Sequence, residues 1–188
     1  MSISDLKRLI EEKKNTAVSD AELFDPQLEI SEFVEHLNRL YSLVEESIRT
    51  LLDDGLIAVS RHETSIEEES LGVYPAPCLV LSINSDKVTF TPIGTMLIGC
   101  KGRVDVKGPA SFFKLMLLRK SVRHASDLIS VSISVDGQPN SPSPAKPVER
   151  PAIDAWEWKV LPSDVRVGHF QPVTTEVVVD MISKVLNG

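Results

Sequence analysis

Cys78-Leu79-Val80-Leu81-Ser82-Ile83-Asn84-Ser85-Asp86-Lys87-Val88-Thr89-Phe90-Thr91-Pro92 is the stretch whose reading decides the fold. A compact apolar run over 78–83 leads into Asn84-Ser85-Asp86, which has the residue types of a tight turn. Lys87 to Pro92 then alternates polar and apolar side chains, the period of a strand with one face buried. Two strands joined by a short turn read as a β-hairpin.

Downstream, the strand pattern continues. Residues 95–98 lie between Gly94 and Gly99 and read as the start of a further strand. Arg103-Val104-Asp105-Val106 alternates, Lys107-Gly108-Pro109 is a turn, and 111–118 follows as a strand, with a short helix as the alternative. Residues 128–135 alternate Ile/Val with Ser. Trp156, Trp158 and Val160 alternate with Glu157 and Lys159, as in a strand returning to the core. Five or more short strands in close succession imply an antiparallel meander, closing toward a barrel. Between them, 137–151 holds five of the twelve prolines and has no apolar periodicity, so it reads as an exposed loop.

Upstream, the period changes to that of a helix. Leu28, Ile30, Phe33, Val34, Leu37, Leu40, Tyr41, Val44, Ile48, Leu51 and Leu52 recur mostly at three- and four-residue steps, and Gly55 supplies the stop signal. The stripe is wider than a coiled-coil seam, which points to packing against a sheet. Ser4 can cap a shorter helix over 5–15 that packs at the sheet edge. Residues 56–59 read as a short strand, and the polar 61–70 as a solvated loop or loose helical turn. Thr174 or Thr175 caps a last helix to about 186, with Val177, Val178, Met181, Ile182 and Val185 on its apolar face.

The expected fold is therefore α+β. A curved antiparallel sheet, a meander or partly closed barrel, is packed by a long N-terminal helix and a C-terminal helix. One domain spans 1–188, with a helical arm over 1–55, a β-rich body over 56–168 and the C-terminal helix over 172–187.

Charge is divided unevenly along the 188 residues. Residues 1–70 carry seven Lys/Arg against seventeen Asp/Glu, and 71–188 carry thirteen against ten. Residues 100–123 hold seven basic side chains (Lys101, Arg103, Lys107, Lys114, Arg119, Lys120, Arg123) and one acid, Asp105. Arg103 and Asp105 share one face of a strand, while Val104 and Val106 face the other way. Lys101 extends the row. Lys101, Arg103, Asp105 and Lys107 are thus the candidate anion- or partner-binding strip, unless the row meets the protein's own acidic helix.

Catalytic motifs are missing. Gly94 to Lys101 fails as a phosphate-binding loop, because the lysine does not follow the second glycine and no Ser/Thr comes after it. The four histidines (His36, His62, His124, His169) show no metal-ligand spacing along the chain, and no metal or cofactor is expected. His36 is placed on the helix surface near Arg39, and His169 could serve as a general base if an acid faced it. Cys78 and Cys100 do not make a disulfide framework and could face each other across neighbouring strands; Cys100 has no histidine nearby in sequence to activate it.

No apolar run is long enough for a membrane helix, the N-terminus is not a signal peptide, and the expected compartment is the cytoplasm. The net charge of −7 disfavours general nucleic-acid binding. The reading that follows is an acidic, non-enzymatic interaction protein whose partner is another protein or a second copy, including a toxin-neutralising or immunity-type role. The rivals are a ligand-binding or enzymatic β-barrel-like domain with a pocket lined by some of Cys100, Arg103, Asp105, Trp156, Trp158 and His169, and a nucleic-acid-associated factor using the 101–123 basic stretch.

Overall fold

The computed structural model describes residues 7, 24–95, 97, 99–128, 151–163 and 168–187. Apart from Lys7, the expected helix over 5–15 lies outside them, as do the expected strand over 128–135 beyond Leu128, which ends a 3-10 turn, and nearly all of the proline-rich loop.

Helix α1 spans Pro26–Ser47. Asp25 caps it, its Oδ1 accepting the N–H groups of Gln27 and Leu28 at 3.0 and 3.2 Å, and Pro26 opens the first turn, where a missing N–H costs nothing. After a break at Ile48, the short α2 covers Arg49–Asp53, and Gly55 ends the arm at φ +70°. Helix α3 spans Thr175–Asn187.

The sheet has seven strands in sequence order: β1 (Ala58–Glu68), β2 (Gly72–Ile83), β3 (Asp86–Gly94), β4 (Arg103–Lys107), β5 (Phe112–Arg119), β6 (Trp156–Val160) and β7 (Gln171–Pro172). Every neighbouring pair is antiparallel, and the sheet is not closed. The decisive hairpin forms as its sequence reads. Ile83 pairs with Asp86, and Asn84 adopts φ +53° in the two-residue turn.

One face of the sheet carries the core. Phe33, Leu37, Tyr41 and Val44 of α1 are fully buried, as are Leu79, Leu81, Val88, Phe90, Val104, Val106, Leu115 and Leu117 of the sheet and Val178 and Val185 of α3. Each such side chain contributes about 1.5–3 kcal/mol on leaving water. A smaller cluster of Leu118, Val122 and Phe170, with Met116, Cys100, Ala125, Leu128 and Leu161 against it, lies apart from this core. Lys159 is buried too, its ammonium donating to the carbonyls of Lys120 and Val122 and lying 3.0 Å from Glu157.

Two glycines set the fit of helix to sheet. A Cβ at Gly102 would come within 2.6 Å of the Phe33 ring, and one at Gly108 would fall onto the Val185 carbonyl. The turn after β4 also closes the end of α3: Ala110 N–H donates to Val185 O at 3.0 Å and the Ser111 hydroxyl to Lys184 O at 2.9 Å. These bonds satisfy carbonyls that a helix end leaves open.

Two sequence expectations need correction. Residues 61–70 are mostly strand: β1 runs through 68, in register with β2 from Ala58↔Ser82 to Glu68↔Gly72. Its side chains are polar because it is an edge strand whose only fully buried residue is Ile66. Thr95 and Leu97 belong to an irregular connection between β3 and β4, not to a strand of their own.

Candidate functional site

The four residues of the expected strip are divided between two environments. Lys101 precedes β4 and turns toward α1, where its ammonium pairs with Glu32 and lies 3.5 Å from Glu29. Its side chain is 9% exposed, and it also sits 5.4 Å from the Trp156 ring centroid. The exposed row of Lys101, Arg103 and Asp105 is therefore not formed: Lys101 meets the protein's own acidic helix. Arg103 and Asp105 do share a face of β4, and they satisfy each other through two hydrogen bonds of 2.6 and 2.7 Å. Lys107 stands exposed at the end of β4, opposite Phe112, which is itself exposed.

Two more basic residues join them: Lys114 lies opposite Asp105 on the same face of the sheet, and Arg119 lines the same cleft as Lys101. Arg119 lies 5.5 Å from Trp156, and Lys114 is 5.9 Å from Phe112.

Internal pairing also consumes most of the acid on α1. Arg39 binds Glu35 and Asp154, Arg49 binds Glu46, Arg61 binds Glu45, and Lys101 binds Glu29 and Glu32. On the β1–β2 hairpin the outcome differs. Glu63, Glu67 and Glu69 are exposed and carry no ion pair among the described residues. Glu68 turns inward instead, accepting the Tyr74 hydroxyl and the Thr95 N–H, the latter at 2.9 Å. The desolvated Tyr74 phenol, bonded to that carboxylate, is held well above the usual tyrosine range.

A groove of about 690 Å³ has Glu63, one of these carboxylates, in its wall. One wall is the first half of α1, with Ile30, Ser31, Val34 and Asn38; the other is the hairpin, with Glu63, Leu71, Val73 and residues 74–77. The groove exists because β3 pairs only with residues 79–83 of β2. The outer half of the hairpin thus forms no ladder with β3, and Glu68 near its tip reaches the end of β3 through its side chain. Pro75 and Pro77 have no N–H to offer, so this part of β2 is poorly suited to take another strand. Val73 is 68% exposed at the groove's edge.

A second cleft, of about 480 Å³, is lined by Phe24, Leu97, Cys100, Lys101, Arg119, Pro151 and Trp156, among others. Of the residues expected to line an enclosed pocket, Cys100 and Trp156 reach it; Arg103, Asp105, Trp158 and His169 do not. Burial pushes the Cys100 thiol up, against the smaller opposing pull of the Gly102 backbone and Arg103. It is a protonated apolar group rather than a thiolate. Cys78 is likewise free and buried. It lies opposite His62 on β1, and β3 separates its strand from Cys100, so the two thiols do not face each other across neighbouring strands.

Sequence reasoning misplaced one histidine and missed a pair. His36 is buried, not on the helix surface, and its carbonyl accepts the Trp158 indole N–H at 2.9 Å. Burial, then the Arg39 and Lys101 charges, holds its pKa below the usual imidazole range. His124 and His169 meet across an antiparallel bridge with ring centroids 4.1 Å apart. Forty-five positions separate them in the chain. No local motif could have joined them.

Compared with known proteins, the chain matches no protein family, no curated protein and no solved structure. The functional reading therefore rests on the surfaces themselves.

Proposed function

We propose that this protein is a non-catalytic binding module for a basic polypeptide segment, held in the groove between α1 and the β1–β2 hairpin. An apolar side chain of the partner would lie against Ile30, Val34 and Val73, with its Lys or Arg residues directed at Glu63, Glu67 and Glu69. One observation carries the reading: the acid of α1 is neutralised internally, whereas Glu63, Glu67 and Glu69 of the hairpin carry no ion pair among the described residues, and Glu63 lines the groove. Complementary charge of this kind raises association rate and selects partners, while the apolar contact supplies most of the affinity. A toxin-neutralising or immunity-type protein is one role that fits such a surface.

The test uses fluorescent peptides of about a dozen residues, one set combining Lys/Arg with Leu/Phe and a control set with Glu replacing the basic positions. Basic apolar peptides are expected to bind, with affinity falling several-fold between about 0.05 M and about 0.5 M salt. Glu63→Lys with Glu67→Lys should abolish the preference, and Val73→Asp should weaken binding at both salt concentrations. Equal binding of both peptide sets to the unaltered protein would sink the reading.

A ligand-binding role is the second reading, favoured by the Trp156 cleft. Apolar walls with Arg119 suit a small apolar molecule bearing one anionic group. Quenching of tryptophan fluorescence by such a compound, lost in Arg119→Gln, is its expected signature.

A further inference from the structure

We infer that His124 and His169 form a bidentate site for a borderline divalent transition metal ion, of the class of Cu²⁺, Ni²⁺ or Zn²⁺. The two residues face each other directly across an antiparallel bridge, the arrangement that brings Cβ atoms closest between strands. Their rings are 4.1 Å apart, centroid to centroid, and tilted by 56°. Two imidazole nitrogens that share one ion at about 2.1 Å each lie about 3 Å apart. Rings at this spacing reach that separation by small side-chain rotations, without movement of the backbone.

The backbone is already fixed. The Phe170 N–H donates to Arg123 O at 2.9 Å, which locks the bridge from the neighbouring residues. Asp127 accepts the N–H groups of Arg123 and His124 at 2.8 and 2.9 Å, and these bonds hold its carboxyl below the usual carboxylate range. Beneath the same segment, the buried Lys159 ammonium holds the carbonyls of Lys120 and Val122. The histidine pair is thus preorganised rather than assembled by the ion, and a ligand set fixed in advance binds without an ordering cost.

His169 is exposed and His124 is partly so, which leaves an entry path from solvent. Among the described residues no third protein ligand joins them. Imidazole nitrogen selects this metal class over Mg²⁺ and Ca²⁺, which take oxygen ligands. A bound ion would tie the connection after β5 to the residues leading into β7, outside the groove and the Trp156 cleft.

The experiment is calorimetric titration of the full chain with Cu²⁺, Ni²⁺, Zn²⁺ and Mg²⁺ salts, accompanied by thermal unfolding. One ion per chain is expected, bound more tightly for Cu²⁺ than for Ni²⁺, with no saturable Mg²⁺ binding and a rise in Tm with Ni²⁺. His169→Gln and His124→Gln should each weaken Ni²⁺ binding by at least about tenfold, and the double variant should add little. His62→Gln should bind as the unaltered protein does. His169 is exposed, so its variant tests the site even if His124→Gln fails to fold. Absence of saturable Ni²⁺ binding, retention of it in His169→Gln, or its loss in His62→Gln would each overturn the assignment.

Discussion

Lys101 shows what a single side chain decides in this protein. In the sequence it is one of seven basic residues in 100–123; in the fold it is the counter-ion of Glu29 and Glu32. Lys101→Met would leave two mostly buried carboxylates facing each other without their shared cation, and chemical denaturation should show a loss of about 2 kcal/mol. Adding Glu32→Gln should recover part of it, because a double-mutant cycle isolates the coupling. His36 makes the stability pH-dependent in the opposite sense to a salt-bridged histidine. Its folded pKa lies below its unfolded value, so the unfolded chain takes up a proton first as pH falls. Stability contributed by neutral His36 is present above the usual imidazole range and is lost as pH drops through it toward the folded value. His36→Leu should flatten the fall in urea midpoint between about pH 7 and about pH 5, and should cost little at neutral pH because its Nε2 has no hydrogen-bond partner to lose.

Among the elements, the β1–β2 hairpin and α3 are the most exposed to single changes. The outer half of the hairpin is held by Ile66, Tyr74 and Ala76 in the core and by the bonds from Tyr74 and Thr95 to Glu68. Tyr74→Phe should cost about 1–2 kcal/mol. It should also speed amide exchange in 63–77 ahead of the central strands, since the loss is local. Gly108→Ala should push α3 off the turn after β4 and cost about 2 kcal/mol, read as a lower Tm. Element type was legible wherever one face is buried: Leu79, Leu81, Val88 and Phe90 announce their strands, and Phe33, Leu37, Leu40 and Val44 their helix. It failed for 61–70, because an edge strand exposes polar side chains on both faces and its alternation has nothing apolar to show. Gly108 reads as a turn signal and Gly102 gives no signal of its own; only packing shows that Val185 and Phe33 occupy the space a side chain would need at each.

For the whole molecule, the expectation of an acidic surface is sharpened into a location. The net charge of −7 is a property of composition, but the part available to a partner depends on which carboxylates the fold neutralises. Charge reversal at Glu35 and Glu46 is expected to leave the preference for basic peptides nearly unchanged, whereas reversal at Glu63 and Glu67 abolishes that preference; anisotropy titrations of the two double variants make the comparison. The sequence by itself determined the α+β class, the antiparallel order of strands and the two covering helices, because periodicity and turn chemistry act between residues a few positions apart. Only the tertiary structure decided that Lys101 meets Glu32 across 69 residues, that His124 meets His169, and that Glu63, Glu67 and Glu69 stand exposed without an ion pair among the described residues. Coulombic pairing and metal ligation depend on distances in space, and those distances exist only once the core has packed.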